Sequence, residues 1–286
     1  MPAFPTAGGT SAANFIPEIF SKKLQAKFYA SSVLPSISNT DYEGEISGQG
    51  NKVNIRTVPS VTVADYTGSV SYADVTTQIV ELNIDKAKSY AFKVDDIVKV
   101  QGDIAFQNEA AKDAAEQMRI AVDTDVLANI PTAATTILDK ASVTPETILG
   151  HVLEAARKLD ELNIPDSDRF LVLSPLYIEM LKKSDLKLAY LTGDSASPLR
   201  NGKVGNIDRF TIYQSNLLAI GSGGDAGKTF ALAGHPKATC FASQFVKTES
   251  VRLESTFGDG IRGLKVYGYK VVVPNALVTL KLKVSA

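Results

Sequence analysis

The stretch DDIVKVQGDIAFQNEAAKDAAEQMRIAVDTDVLANI, residues 95–130, decides how this chain is read. After Gly102 it holds neither Gly nor Pro until Pro131. Ile104, Ala111, Ala115, Met118, Val122 and Val126 recur at helical steps and share one face. Gln107, Lys112, Glu116, Arg119 and Asp123 fall on other faces. Ala and Glu are good helix formers, and Asp103 can cap the start. The spacing predicts one helix over about 103–129, roughly 40 Å long at about 1.5 Å per residue. Its apolar stripe is narrow and made of small residues. Such a stripe admits a sheet or another chain closely but buries little area, so the helix reads as a strut.

Strand periodicity lies upstream. Val53, Ile55 and Thr57 alternate with Asn54 and Arg56, and Val80, Leu82 and Ile84 alternate with Glu81, Asn83 and Asp85. Tyr90, Phe92 and Val94 continue the pattern. Between the first two runs lies PSVTVADYTGSVSYADVTTQ, residues 59–78, rich in Ser, Thr, Asp and Gly. The pattern predicts a long two-stranded hairpin with a polar tip, or else a surface β-meander. A protruding hairpin is marginal alone and needs a partner surface. Residues 1–14 read as a flexible arm, and a helix with Ile19, Phe20, Leu24 and Phe28 on one face follows from Pro17.

Downstream, Thr144 and Pro145 mark a helix start, with Ile148, Leu149, Val152, Leu153, Ala156 and Leu159 as its buried face. RFLVLSP, 169–175, reads as a buried strand, and Pro175 opens a short helix. Strands over 208–215 and 229–233 flank GSGGDAGK. Tyr267, Tyr269, Val271 and Val273 share one strand face, and Val278, Leu280, Leu282 and Val284 another. These last strands are expected to form the sheet under the long helix. The fold class is α+β in two lobes: a helix-and-sheet lobe from both ends of the chain and an inserted α/β lobe.

Composition narrows the function. The 286 residues are 44% apolar and 21% charged, ordinary for a globular protein. Lys and Arg number 30 against 31 Asp and Glu, which argues against a dedicated nucleic-acid binder. No apolar run suits a membrane span. Cys240 has no cysteine partner in the chain, and His235 and Cys240 alone fall short of a zinc set. His151 reads as a solvated histidine. Asp95 and Asp96 are adjacent and point apart, unlike a catalytic dyad. The loop Gly221–Thr229 ends in GKT like a phosphate-binding loop, but Ser222 stands where its first Gly belongs, and a strand rather than a helix follows. No cofactor, metal or catalytic constellation is expected.

The order of segments resembles the major capsid protein of tailed bacteriophages, the Hong Kong 97-type fold shared with encapsulins. FIPEIFSKKL, YEGEISGQGNKVNI and FKVDDIVKVQGD ahead of the long helix resemble that family's N-terminal, extended-loop and spine-helix segments. RFLVLSPLYIEML and VGNIDRFTIYQSNLL resemble its axial domain, and AGHPKATCFASQ with VRLESTFGDGIRGLKVYGYKVVVPNALVTLK its closing segment. The resemblance runs from about Phe15 to Val284. It implies an N-terminal arm and helix over 1–40 and an extended β-hairpin loop over 41–94. It further implies a peripheral domain with the spine helix over 95–140 and 245–286, and an α/β axial domain over 141–244.

The resemblance also implies self-assembly through hexamers and pentamers into an icosahedral virion shell, contacting packaged DNA non-specifically and using no membrane. Scaffolding is expected from a separate protein, with portal and decoration proteins as further partners. Intersubunit contacts are expected at Tyr42, Lys52, Arg56, Asp65, Tyr66 and Asp74, in the arm, and in the loop near Ser195–Lys203. The loop and arm are expected to be mobile in a free subunit. One relative joins a loop lysine to a neighbour's asparagine. Lys52 and Asn275 hold comparable places here, and both read as ordinary surface residues. The alternatives are an encapsulin shell, or a soluble α/β nucleotide-binding enzyme using 221–229.

Overall fold

The helix expected over 103–129 runs from Ala105 to Asn129. The structure, a computed structural model, describes residues 29–42, 52–57, 79–96, 105–184, 205–254 and 257–284, with isolated positions at 59, 61, 63, 65, 66 and 77. The arm and helix read over 1–28, the cap Asp103 and the loop near 195–203 lie outside the described residues.

In chain order the strands are Lys52–Arg56 (β1), Ile79–Asn83 (β2), Lys86–Asp95 (β3), Thr136–Val143 (β4), Arg169–Leu173 (β5), Asn206–Ile207 (β6), Phe210–Gln214 (β7), Thr229–Gly234 (β8), Thr239–Arg252 (β9), Gly258–Val271 (β10) and Leu277–Val284 (β11). The helices are Leu34–Ile37 (α1), Ala105–Asn129 (α2), Ile148–Glu161 (α3) and Pro175–Lys183 (α4). Among the described residues they form three sheets: the pair β1–β2, the three-stranded β3–β10–β9, and the six-stranded β4–β11–β8–β5–β7–β6.

Strand β11 departs from the sequence reading, which expects it in the sheet under the long helix, and β4 is a strand that reading did not include. Instead β11 runs parallel to β4 and antiparallel to β8 inside the six-stranded sheet. The reason is burial. Leu277, Val278, Leu280 and Leu282 are at most 0% exposed, and Thr279 is also buried, with its hydroxyl donating to the Pro131 carbonyl at 2.8 Å. A strand apolar on one side with a satisfied Thr on the other suits a sheet covered on both faces.

Helix α3 packs on that sheet through Ile148, Val152, Ala155, Ala156 and Leu159. It begins later than Thr144, because Thr144, Pro145, Glu146 and Thr147 form a turn. The Thr144 carbonyl accepts the N–H groups of Thr147 and Ile148, both at 3.1 Å. Leu153 faces outward at 44% exposure, and Ala155 takes the buried place. At the head of β5, Arg169 is buried, against the apolar reading of that strand. Its guanidinium donates to the Pro165 carbonyl at 2.8 Å and pairs with Asp160 at 2.7 Å, the partners a buried charge requires.

The long helix docks mainly through its C-terminal half. Val122, Val126 and Leu127 are buried with Val33, Leu34 and Ile37 of the α1 segment and with Phe241 and Tyr267 of the three-stranded sheet. Ala111 and Met118 are half-buried and Ala115 is exposed, so the narrow stripe buries little, as a strut would. Asp123, assigned to an outer face, is instead buried, and its carboxylate accepts the Val33 N–H at 3.1 Å.

Leu171→Ala is expected to cost about 2–5 kcal/mol, because it opens a cavity at a site with no exposure. Leu153→Ala is expected to stay within about 0.5 kcal/mol. Urea denaturation of the two variants checks the burial of β5 and the outward face of α3.

Candidate assembly interface

The candidate interface is built on the β1–β2 hairpin. Lys52 pairs with Asn83, Val53 with Leu82 and Ile55 with Val80. The period of two puts Val53, Ile55 and Leu82 inward and Lys52, Asn54, Arg56 and Glu81 outward. The inward residues join Ile84, Cys240 and Ala242 in a small core, with Tyr42, Val266 and Val272 packed against it. Gly268 permits the approach: a Cβ there would lie 2.0 Å from the Asn83 carbonyl oxygen. The base of the hairpin is therefore fixed to its own subunit.

The candidate contact residues separate on this frame. Tyr42 is half-buried against the hairpin core, which gives it a role within the subunit. Lys52 lies outward, its ammonium 3.0 Å from the Glu81 carboxylate. Arg56 stands at the far end of β1, exposed and opposite Ile79. Asp65 and Tyr66 are exposed, Tyr66 at 75%. Asp74 lies outside the described residues. Asn275, the partner considered for Lys52, is exposed in the 3-10 turn Pro274–Ala276.

The structure adds residues that the sequence reading passed over. Val61, Val63 and Ile79 are 71%, 93% and 56% exposed, and with Tyr66 they give the loop an uncovered apolar surface. The Val-Thr-Val alternation at 61–63 was a visible signal for this. It was hidden by the polar composition of the loop around it.

The other candidate chemistry is accounted for by local contacts. Lys228 donates to Asp139 at 2.5 Å and to Asp225 at 2.9 Å, and Lys281 donates to Asp225 at 2.5 Å. Only a 3-10 turn, Gly223–Asp225, precedes β8, so the loop offers no helix N-terminus to a phosphate. Hydrogen bonds from Lys281 and Lys228 hold the Asp225 carboxyl below its usual range. Asp96 pairs with Arg252 and Asp95 lies 3.7 Å from Lys93, so the two carboxylates engage different partners. His151, read as solvated, is half-buried, and burial with the nearby Lys140 lowers its pKa. His235 accepts the Lys237 N–H through Nδ1. Cys240 is buried, which pushes its thiol up to about 11. Among the described residues no group of three or more His, Cys, Asp or Glu is placed to hold a metal ion. Among them, too, no helix is long and apolar enough to cross a membrane.

A long helix on a three-stranded sheet, a mixed α/β lobe and an outlying hairpin define a Hong Kong 97-type shell subunit. Comparison with known proteins agrees. The model of the phage capsid protein family matches residues 78–280. The structure from Mycobacterium phage Che8 is 32% identical, with a TM-score of 0.81 over 93% of this chain and 97% of that one. The capsid of cyanophage P-SCSP1u is 15% identical, with a TM-score of 0.79 over 97% and 96%. The mature capsid of bacteriophage PhiM1 is 17% identical, with a TM-score of 0.72 over 94% and 92%; these two speak for the fold alone. The search of curated proteins finds no match. The chain belongs to the phage capsid protein family. Its role is structural, as the major capsid protein of a tailed phage, and its place is the virion capsid.

Two outcomes follow from the local chemistry. Because the Asp225 pKa is depressed, its ion pairs contribute fully above the ordinary value of 3.8 and are lost as pH falls through the lower folded value. Asp225→Asn is expected to flatten the fall of the urea midpoint below that pH. Cys240 is expected to resist a thiol reagent at pH 8 in the folded protein and to react at once after denaturation, as mass spectrometry would read.

Proposed function

We propose that the chain assembles through hexamers and pentamers into an icosahedral shell that encloses packaged double-stranded DNA. The observation that carries this reading is the hairpin loop. Its base is held by a small core, while Val61, Val63, Tyr66 and Ile79 stay open to solvent within one subunit. An apolar surface of this kind marks a contact site, and in a shell the available partner is the neighbouring subunit. Arg56 and Asp65 would set register at its polar margin, where charges act on specificity more than on affinity.

In this reading β3, α2, β9 and β10 belong to the peripheral domain, and the six-stranded sheet with α3 and α4 belongs to the axial domain. The near-neutral charge, −1 in total, suits a wall that contains DNA without binding it tightly. The shell has no catalytic role. It is built in the host cytoplasm, with separate scaffolding, portal and decoration proteins as further partners. The family match favours this reading over an encapsulin, and the occupied Lys228 speaks against a nucleotide-binding enzyme.

Electron microscopy of the expressed protein tests the proposal. Closed shells or free capsomers are expected, with or without an added scaffolding protein. A subunit that stays monomeric even with its scaffold would overturn it. The double variant Val63→Asp, Tyr66→Ser is expected to abolish shells while leaving the melting temperature of the subunit within about 2 °C, since neither side chain is buried.

A further inference from the structure

The chain passes between the three-stranded and six-stranded sheets three times, from α2 to β4, from β8 to β9 and from β10 to β11. Each passage is a short 3-10 turn with a proline at its start: Ile130–Ala133 with Pro131, Pro236–Ala238 with Pro236, and Pro274–Ala276 with Pro274. Proline fixes φ where the missing N–H is not needed, so each passage is stiff.

The turns also hold one another. Thr135 N–H donates to the Pro274 carbonyl at 3.3 Å, and His235 N–H to the Ala276 carbonyl at 3.1 Å. Val272 and Val273 N–H donate to the Ala238 carbonyl at 2.8 and 3.2 Å. Gly234 makes the contact close, since a Cβ there would lie 2.5 Å from the Ala276 carbonyl oxygen. The tilt of one sheet on the other is set at this joint.

One member of the joint can titrate. His235 is 7% exposed, and its Nδ1 accepts the Lys237 N–H at 3.1 Å, capping the middle turn. Nδ1 can accept only while it carries no proton. We propose that His235 is a pH-sensitive latch on the inter-sheet joint: the neutral imidazole holds the 236–238 turn, and protonation releases it. Protonation places a hydrogen on Nδ1, turns the acceptor into a donor facing a donor, and adds a charge in a buried place. The charged groups facing the ring are Lys237 on its own turn and Asp168 and Arg169 at the head of β5.

Burial is the main influence on the ring and lowers its pKa from the ordinary 6.5. Lys237 and Arg169 act in the same direction, and Asp168 opposes them. A histidine lowered in the folded state gives stability that is complete above 6.5 and lost as pH falls from there to the folded value. The inference stands on the joint and does not depend on shell assembly.

The test uses the full chain. Histidine C2–H exchange, read by mass spectrometry across pH, gives the ring's pKa in free or assembled protein. A value below 6.5 is expected, and a value at or above it overturns the latch. Backbone amide exchange, corrected for its intrinsic pH dependence, is then compared between pH 7.5 and a pH below the ring's measured value. Peptides covering 235–239 and 272–276 are expected to exchange about fivefold faster at the lower pH, the scale of a lost cap. The β5 peptide is expected to stay unchanged. His235→Asn supplies an acceptor at the same distance from the backbone but does not titrate, so it should keep slow exchange at both pH values. An equal acid response in the wild type and His235→Asn would overturn the proposal.

Discussion

Asp125 fastens the long helix to its sheet. Its carboxylate accepts the Tyr267 hydroxyl at 2.9 Å and lies 3.7 Å from the Lys86 ammonium. Its carbonyl accepts the Tyr269 hydroxyl at 3.4 Å. Two strands of the three-stranded sheet, β3 and β10, thus converge on one helical residue. Because the apolar stripe is small, these polar bonds fix the position that bulky packing would fix elsewhere. Desolvation by burial, with Asp125 beside it, drives the Tyr267 hydroxyl's pKa well above its usual value, so this bond keeps its proton at any ordinary pH. Asp123, two residues earlier, performs a matching task for the segment before α1 by accepting the Val33 N–H.

From that fastening the rest of the geometry follows. With the helix end held on β10, the 130–133 turn is placed against the Pro274 turn, and β4 starts beside β11. The six-stranded sheet grows from those two strands. On the other side, β9 and β10 carry the small core against which the β1–β2 hairpin rests. The hairpin is therefore anchored to the same sheet that anchors the helix. Beyond that anchor, Val61, Val63 and Tyr66 stay exposed.

Several features of this arrangement were readable in the residues. The long helix and the strands at 53–57 and 80–84 carry clear periodicity, and the buried strand at 169–173 shows as a short apolar run ahead of Pro175. Local physics decides such elements: side chains alternate every two residues along a strand and return every three or four along a helix. The failed phosphate-loop match was readable too, because TFALAG has no helical pattern. Contact residues were less legible. Tyr42 looked like a surface tyrosine and is used inside the subunit, whereas the alternation of Val61 and Val63 was masked by the polar composition of the loop around them.

The sequence by itself determined the type and extent of the main elements, since these depend on neighbours a few residues away. Only the tertiary structure decided which sheet received β4 and β11, why Ala155 rather than Leu153 faces the core, and that Asp123 and Arg169 are buried. A strand with the pattern of β11 satisfies the hydrogen bonds of either sheet equally well. What selects its place is the meeting of three turns far apart in the chain, at Pro131, Pro236 and Pro274. Likewise, a buried Asp or Arg is identical in sequence to an exposed one. Its partners, the Val33 N–H and the Pro165 carbonyl, come within reach only when the fold closes.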